Sequence, residues 1–200
     1  MRKVILTLVA AALAAGSAFA QIGVGAGYLN LNTKTTIGDN STNGNASGFY
    51  VGGDYSYDLG SGFAVMPGIY YSMTTSKGDI LGAVETRTDT HSLSVPVHFA
   101  YGVDLGYGVK VFPFAGPQIN FGLASNTITG IGNTSTKFDN YSDDGNINRF
   151  NLALAAGVGV DILETVRIKF AYNWGLLDLH QSDDVKLTNT NWQIGAAFLF

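Results

Sequence analysis

Apolar and polar residues alternate with period two along most of the chain beyond residue 20. In residues 49–59, Phe49, Val51, Gly53, Tyr55, Tyr57 and Leu59 share one face, while Tyr50, Gly52, Asp54, Ser56 and Asp58 share the other. That period is the signature of a β-strand with two unlike faces. It recurs in residues 21–31, 63–73, 91–101, 109–123, 149–162, 166–176 and 189–200, which predicts eight strands. Beyond residue 20 the longest apolar run, 152–160, has nine residues and two glycines. A spanning helix needs about 18 or more apolar residues, so no helical span is predicted there.

The connections between these strands fall into two ordered classes. Long polar segments (32–47, 74–90, 124–148 and 177–188) alternate with short ones (60–62, 102–108 and 163–165). Successive hairpins therefore point to opposite ends. Eight antiparallel strands with short turns at one end and long loops at the other form the layout of a small outer-membrane barrel. The choice between this and a soluble barrel rests on which face is outside. The apolar faces hold no Asp, Glu, Lys or Arg, whereas the opposite faces hold Asp54, Asp58, His98, Lys110, Arg149, Asp161, Arg167 and Lys169 among many glycines. An eight-stranded interior is only just wide enough to be filled by side chains. Small residues and a few paired charges suit that interior, and the ring-bearing face suits lipid. Tyr28, Tyr57, Phe63, Tyr101, Tyr172, Trp174 and Trp192 fall near the strand ends, where interfacial aromatic girdles belong. The expected fold is all-β, an eight-stranded antiparallel up-and-down transmembrane β-barrel over residues 21–200. Strands that span hydrocarbon must leave no backbone edge open, so the first is expected to pair with the last.

Composition agrees with this reading. Charged residues make up 13% of the chain, about half of the roughly 25% usual in soluble domains. There is no cysteine, which excludes a disulfide scaffold and a thiolate metal site. Residues 1–20 have the form of a signal peptide: Arg2 and Lys3, an apolar run over 4–15 broken only by Thr7, and Ala18-Phe19-Ala20 as the cleavage pattern. Removing Arg2 and Lys3 from the 11 basic residues leaves 9 against 15 acidic ones, a balance of −6. No basic footprint for nucleic acid remains.

The segments Ser92-Leu-Ser-Val-Pro-Val-His-Phe-Ala-Tyr101, Phe114-Ala-Gly-Pro-Gln118, Phe170-Ala-Tyr-Asn-Trp-Gly-Leu176 and the terminal Phe198-Leu-Phe200 give the chain a recognisable character. It resembles the porin-family small outer-membrane β-barrels, the OmpX/OmpA-like and PorT-like group. The resemblance implies a bacterial outer-membrane location and neighbours that are outer-membrane lipid and lipopolysaccharide. It also implies that Phe200 is the terminal aromatic signal read by the barrel-assembly machinery. It carries no catalytic residue across.

The inward charges are the most specific constellation. A hairpin that sets Asp161 opposite Arg167 also sets Gly159 opposite Lys169, where the small residue leaves room for the long one. Enclosed charges must pair and hydrogen-bond, so the lumen residues Asp54, Asp58, His98, Lys110, Arg149, Asp161, Arg167 and Lys169 are expected to form a structural polar network that plugs the barrel. A selectivity ring in a narrow diffusion pore is the alternative. A lipid-modifying enzyme is a further one, but no G-x-S-x-G or H-E-x-x-H occurs, and His91 and Ser92 lie on opposite faces of a strand. The reading is therefore non-enzymatic, with no catalytic, cofactor or metal site and no residue that names a ligand for the loops. Asp139, Asp143, Asp144, Asp178, Asp183 and Asp184 could gather divalent cations that bridge lipopolysaccharide phosphates, although Asn140-Tyr-Ser-Asp-Asp-Gly145 has Asn151 where a calcium loop needs Glu. Pro67, Pro96, Pro113 and Pro117 lie inside expected strands and predict bulges or early strand ends there. Intact-mass measurement of protein extracted from the envelope tests the leader: the expected species begins at Gln21, and one retaining Met1 or starting elsewhere would refute the cleavage site.

Overall fold

The computed structural model describes residues 20–80, 84–131, 134–142, 147–180 and 185–200. The leader before Ala20 lies outside the described residues, as do Asp143, Asp144, Asp183 and Asp184. Ten strands are described: β1 (Ala20–Ile37), β2 (Asn40–Gly60), β3 (Phe63–Ile80), β4 (Val84–Tyr101), β5 (Val103–Asp104), β6 (Val109–Ile131), β7 (Thr134–Asp139), β8 (Phe150–Ile162), β9 (Val166–Gly175) and β10 (Val185–Leu199). Every pairing is antiparallel. Eight strands form a closed ring in the order β1, β2, β3, β4, β6, β8, β9, β10, while the short β5 and β7 both pair with β6. The ring closes along β1 and β10 from Gly23↔Leu199 to Ile37↔Val185, and Phe200 continues the ladder by exchanging backbone hydrogen bonds with Ile22.

Alternation sorts the faces as expected. Val24, Phe49, Ile69, Phe99, Phe170 and Phe198 point outward and are about half exposed, whereas Met66, Ala100, Phe112, Phe114 and Ala171 form a buried cluster inside the ring. An exposed apolar belt of this extent is unfavourable in water and favourable in lipid. Aromatic pairs sit at both ends of the belt: Phe63 against Tyr101 at the short-turn end, and Tyr28 against Trp192 toward the other, with ring centroids 4.9 and 5.3 Å apart.

Two expectations are corrected. Most of the long polar connections are strand: β1 and β2 run on to a two-residue turn at Gly38 and Asp39, and β3, β4 and β6 extend well past the apolar belt. Period-two contrast disappears once both faces meet water, yet the backbone still pairs and short polar side chains bridge the strands. Thr36 pairs with Ser41, Asn32 with Asn45, Thr88 with Thr127 and Thr90 with Ser125, all within 3.1 Å. The four prolines, in turn, neither end strands nor coincide with bulges. The recorded register shifts fall at Asp58/Gly60 and His91/Ser92 instead. Near Pro67 and Pro96 the pairing skips two residues and resumes in the same register, from Pro67↔Val97 to Tyr70↔Ser94 and from Pro96↔Gln118 to Phe99↔Ala115. A missing N–H thus costs a rung and leaves the alignment intact.

The β8–β9 turn is strained. Leu163 and Glu164 both have positive φ, 52° and 53°, and Thr165 N–H closes the turn on the Ile162 carbonyl. This is a type I′ arrangement, in which Asn-Gly is favoured and branched residues are not. The double substitution Leu163→Asn/Glu164→Gly is expected to stabilise the barrel by about 1 kcal/mol. A raised urea midpoint in refolding experiments in lipid checks this, and an unchanged or lowered midpoint would contradict it.

Candidate functional site in the lumen

Inward positions of β2, β3, β8 and β9 meet in the lumen. On β9, Arg167 directs Nε and Nη2 to the two carboxylate oxygens of Asp161 on β8, at 2.7 and 2.8 Å, and the strand register sets the two residues directly opposite. Its Nη1 crosses the lumen to β2, donating to Asp54 Oδ1 at 3.0 Å and Ser56 Oγ at 2.7 Å. The Lys169 ammonium donates to Asp54 Oδ2 and, at 3.0 Å, to the Tyr70 hydroxyl, which itself donates to Asp54. The Arg167 guanidinium lies 4.9 Å from the Phe112 ring centre and Lys169 5.3 Å from that of Tyr70. Arg167 and Asp54 have side chains only 4% and 3% exposed. Two cations meet two carboxylates, so the enclosed network is neutral and its donors are matched by acceptors, as burial requires.

The other expected members take no part in this network. Asp58 sits at the short-turn rim, where its carboxylate accepts the Gly60 N–H at 2.6 Å. Lys110, on β6, is the register partner of Asp161 and borders the space at that rim, but its stem turns over Gly102, so closely that a Cβ there would stand 2.0 Å from Cε, and among the described residues no ion pair joins it to Asp161. Arg149 is at the opposite end, donating to the Leu123 and Tyr141 carbonyls and lying over the Tyr141 ring at 4.9 Å. His98 is inside and buried, but it stacks on Phe114 at 4.8 Å and its Nε2 has no partner. Alternation reveals which face a residue occupies and is silent about height, so inward residues from opposite ends of long strands do not meet. Gly159 does lie opposite Lys169, yet the Phe112 ring takes the space above it; a Cβ there would come within 2.1 Å of that ring. Sequence reasoning placed Tyr50 on the lumen face but named none of Tyr70, Phe112 and Phe114 as interior residues. The available signal was glycine at facing positions: Gly27 and Gly195 leave the room that the Tyr50 ring fills.

The network divides the lumen. On the short-turn side lies a space of about 470 Å³ bordered by Asp58, Lys110, Asp161, Glu164 and Arg167. On the long-hairpin side lies a chamber of about 120 Å³ whose floor includes Tyr50, Tyr70 and Lys169 and whose mouth is lined by Tyr141, Asn148, Arg149 and Leu179. Tyr141 reaches into that mouth over Gly122. Beyond the barrel wall Asp178 accepts the Leu187 N–H at 2.8 Å, which holds its carboxyl below the ordinary range. The Thr75 hydroxyl does the same for Asp89. On the outer face His91 Nδ1 is hydrogen-bonded to the Tyr71 hydroxyl. Among the described residues no three metal-ligating side chains come together, and Asp139 is engaged with the Tyr141 N–H.

The description "outer membrane protein beta-barrel domain" matches residues 4–200. The chain belongs to this outer-membrane β-barrel family. Such barrels lie in the bacterial outer membrane, with short turns in the periplasm and longer hairpins outside. Among solved structures the outer-membrane barrel resembles Ail of Yersinia pestis, at 16% identity over 91% of this chain and 99% of that one, with a TM-score of 0.50. It is also similar to the outer-membrane protease OmpT of Escherichia coli (9% identity, 90% and 96% covered, TM-score 0.47) and to OprG of Pseudomonas aeruginosa (10%, 91% and 96%, TM-score 0.44). At such identities the likeness carries the fold alone, and the neighbours include both an enzyme and an attachment protein. No curated protein matches the chain.

The mid-lumen network makes a direct prediction. Asp161→Ala leaves a buried guanidinium without its forked partner, so the barrel is expected to lose about 3–5 kcal/mol. Urea unfolding followed by the mobility shift between folded and heated protein on gels measures it. A variant as resistant as the parent would show that the network does not hold the wall.

Proposed function

We propose that this protein is a closed outer-membrane barrel with a structural or surface-interaction role and no reaction of its own. The observation that carries the reading is the neutral set of Asp54, Asp161, Arg167 and Lys169, which ties β2, β8 and β9 together across a lumen already narrow for eight strands. Its partners are the lipids and lipopolysaccharide around its apolar belt, and the barrel-assembly machinery, which reads the terminal Phe200. Export runs through the cleaved leader. Contact with other molecules falls to the outer hairpins, whose ladders of Thr, Asn and Ser project beyond the lipid. The non-enzymatic reading draws support from the histidines inside and on the wall: His91 faces outward against Tyr71, and His98 stacks on Phe114.

Planar-bilayer recording tests this. The purified barrel is expected to be electrically silent, whereas the combined Asp54→Ala/Arg167→Ala/Lys169→Ala variant, if it inserts, opens a measurable path. Ohmic steps from the parent protein would overturn the closed-barrel reading in favour of a small diffusion pore.

A further inference from the structure

The chamber above the ionic network carries charge of one sign. Arg149 stands at its mouth and Lys169 at its floor, and among the described residues no carboxylate lines it. Asp54, the partner of Lys169, is not on the lining, and Asp139 is engaged with the Tyr141 N–H. The network below is neutral as a whole, yet it presents an ammonium to the chamber and keeps its carboxylates off the lining. A narrow enclosure with low-dielectric walls concentrates such a field and draws the opposite charge.

The wall beside Arg149 supplies hydrogen-bond donors. Strand register sets Ser92 of β4 opposite Gly122 of β6 and Ser94 opposite Asn120, and the Gly122 N–H donates to the Arg149 carbonyl at 2.7 Å. Arg149, Asn120 and Ser92 thus share one end of the chamber. Asn120 Oδ1 already accepts from Ser94 and Gln118, both at 2.7 Å, so what Asn120 has left to offer is its Nδ2 donors. The Arg149 guanidinium lies over the Tyr141 ring and spends two N–H groups on the Leu123 and Tyr141 carbonyls, which leaves the other three of its five donors and a full charge. Asn120 and Ser92 are half-buried and Arg149 is exposed, so these groups open onto the space that they line. Negatively charged oxygens meet such a set best. At roughly 10–15 Å³ for each water-sized position, the chamber of about 120 Å³ holds a five-atom oxyanion with a few waters. A phosphate attached to lipid is shut out, because the lipid lies beyond the closed wall.

We propose that the outer chamber of the lumen is a binding site for one small free oxyanion, seated on Arg149 and Asn120 with Ser92 beside them and the field of Lys169 behind it. The site needs only the chamber above the network. A conducting barrel would refute the closed-wall reading and leave this one standing, and a failure to bind would do the reverse.

The test uses the full mature chain refolded in zwitterionic bicelles, with sulfate as probe. Equilibrium dialysis against radiolabelled sulfate is expected to show saturable one-to-one binding, and NMR to show shifts at the Arg149 Nε–H and the Asn120 side-chain amide. Dimethyl sulfone has nearly the shape of sulfate without its charge, and is expected not to compete. Arg149→Gln is expected to weaken binding at least about tenfold, as loss of a charge-assisted hydrogen bond implies, and Asn120→Leu about fivefold, while Lys77→Gln at an exposed position of β3 changes nothing. Should a lumen variant fail to fold, the parent titration with its sulfone control still decides. Uptake that is linear in sulfate, shifts confined to Lys77, Arg87 and Lys137 on the outer hairpins, or equal displacement by dimethyl sulfone would each overturn the proposal.

Discussion

Hydrocarbon offers the backbone no hydrogen-bond partner, and the architecture follows from that constraint. Each unpaired N–H or C=O in lipid costs on the order of several kcal/mol, so the sheet cannot end at an edge. β1 and β10, the first and last of the described strands, therefore pair along their length, from Gly23↔Leu199 outward. Closing the ring at eight strands fixes the width of the interior, and width decides which residues can face inward. Two large inward rings at paired positions of neighbouring strands collide unless one position is bare. Glycine at 159 gives Phe112 its place, and glycines at 27 and 195 do the same for Tyr50. These glycines are lumen volume distributed among aromatic rings, and they bring the Phe112 face under the Arg167 guanidinium.

A closed and narrow interior then controls its charges. An isolated ion there would be prohibitively costly, whereas four ions with matched geometry are tolerable. Arginine is suited to the central position because its planar fork engages both oxygens of Asp161 while a third nitrogen reaches Asp54. Lysine at 169 completes the pairing by serving the second oxygen of Asp54, with Tyr70 beside it. The result is a cross-brace between walls that the strand ladders do not join directly, since β10 and β1 separate β9 from β2 in the ring. The same brace makes the two halves of the lumen chemically unlike, one bordered by charges of both signs on the short-turn side and one bordered, among the described residues, by Lys169 and Arg149 without a carboxylate on the outer side.

How far this was legible depends on the kind of information. Closure, strand count and the inversion of faces followed from period two, because every residue within the lipid belt is forced to choose lipid or lumen. The opposition of Asp161 to Arg167 followed from the shortness of their turn, which pins the register. What escaped were facts of height and of side-chain reach. Asp58 and Arg149 share a face with Arg167 but sit at the two rims, a distance no alternation encodes. Tyr50 and Tyr70 stand in the polar register beside Gly52 and Asp54, and only the three-dimensional match of ring to glycine explains them. The outer strand extensions escaped for the opposite reason: Thr33 to Ile37 pair as faithfully as Val24 to Tyr28, but without a lipid face there is no contrast to read.

Where the constraint ends is also visible. Toward the outer end the ring comes apart at several seams: β2 and β3 pair no further than Ser47↔Thr75, β9 and β10 no further than Thr190↔Trp174, and β6 and β8 no further than Phe121↔Phe150. Beyond these rows the strands continue as two separate sheets, β10–β1–β2 and β3–β4–β6–β7, each with edges that lipid would forbid and water satisfies. The seams open beside aromatic residues, Trp174, Phe121 and Phe150, with Phe49 two residues along β2 from Ser47. Backbone pairing and side-chain chemistry respond to different properties of the bilayer, one to the absence of hydrogen-bond partners and the other to the headgroup interface. Their coincidence at one level places the outer surface of the membrane there, and it makes the Thr- and Asn-rich sheets above that level the part of the barrel free to meet other molecules.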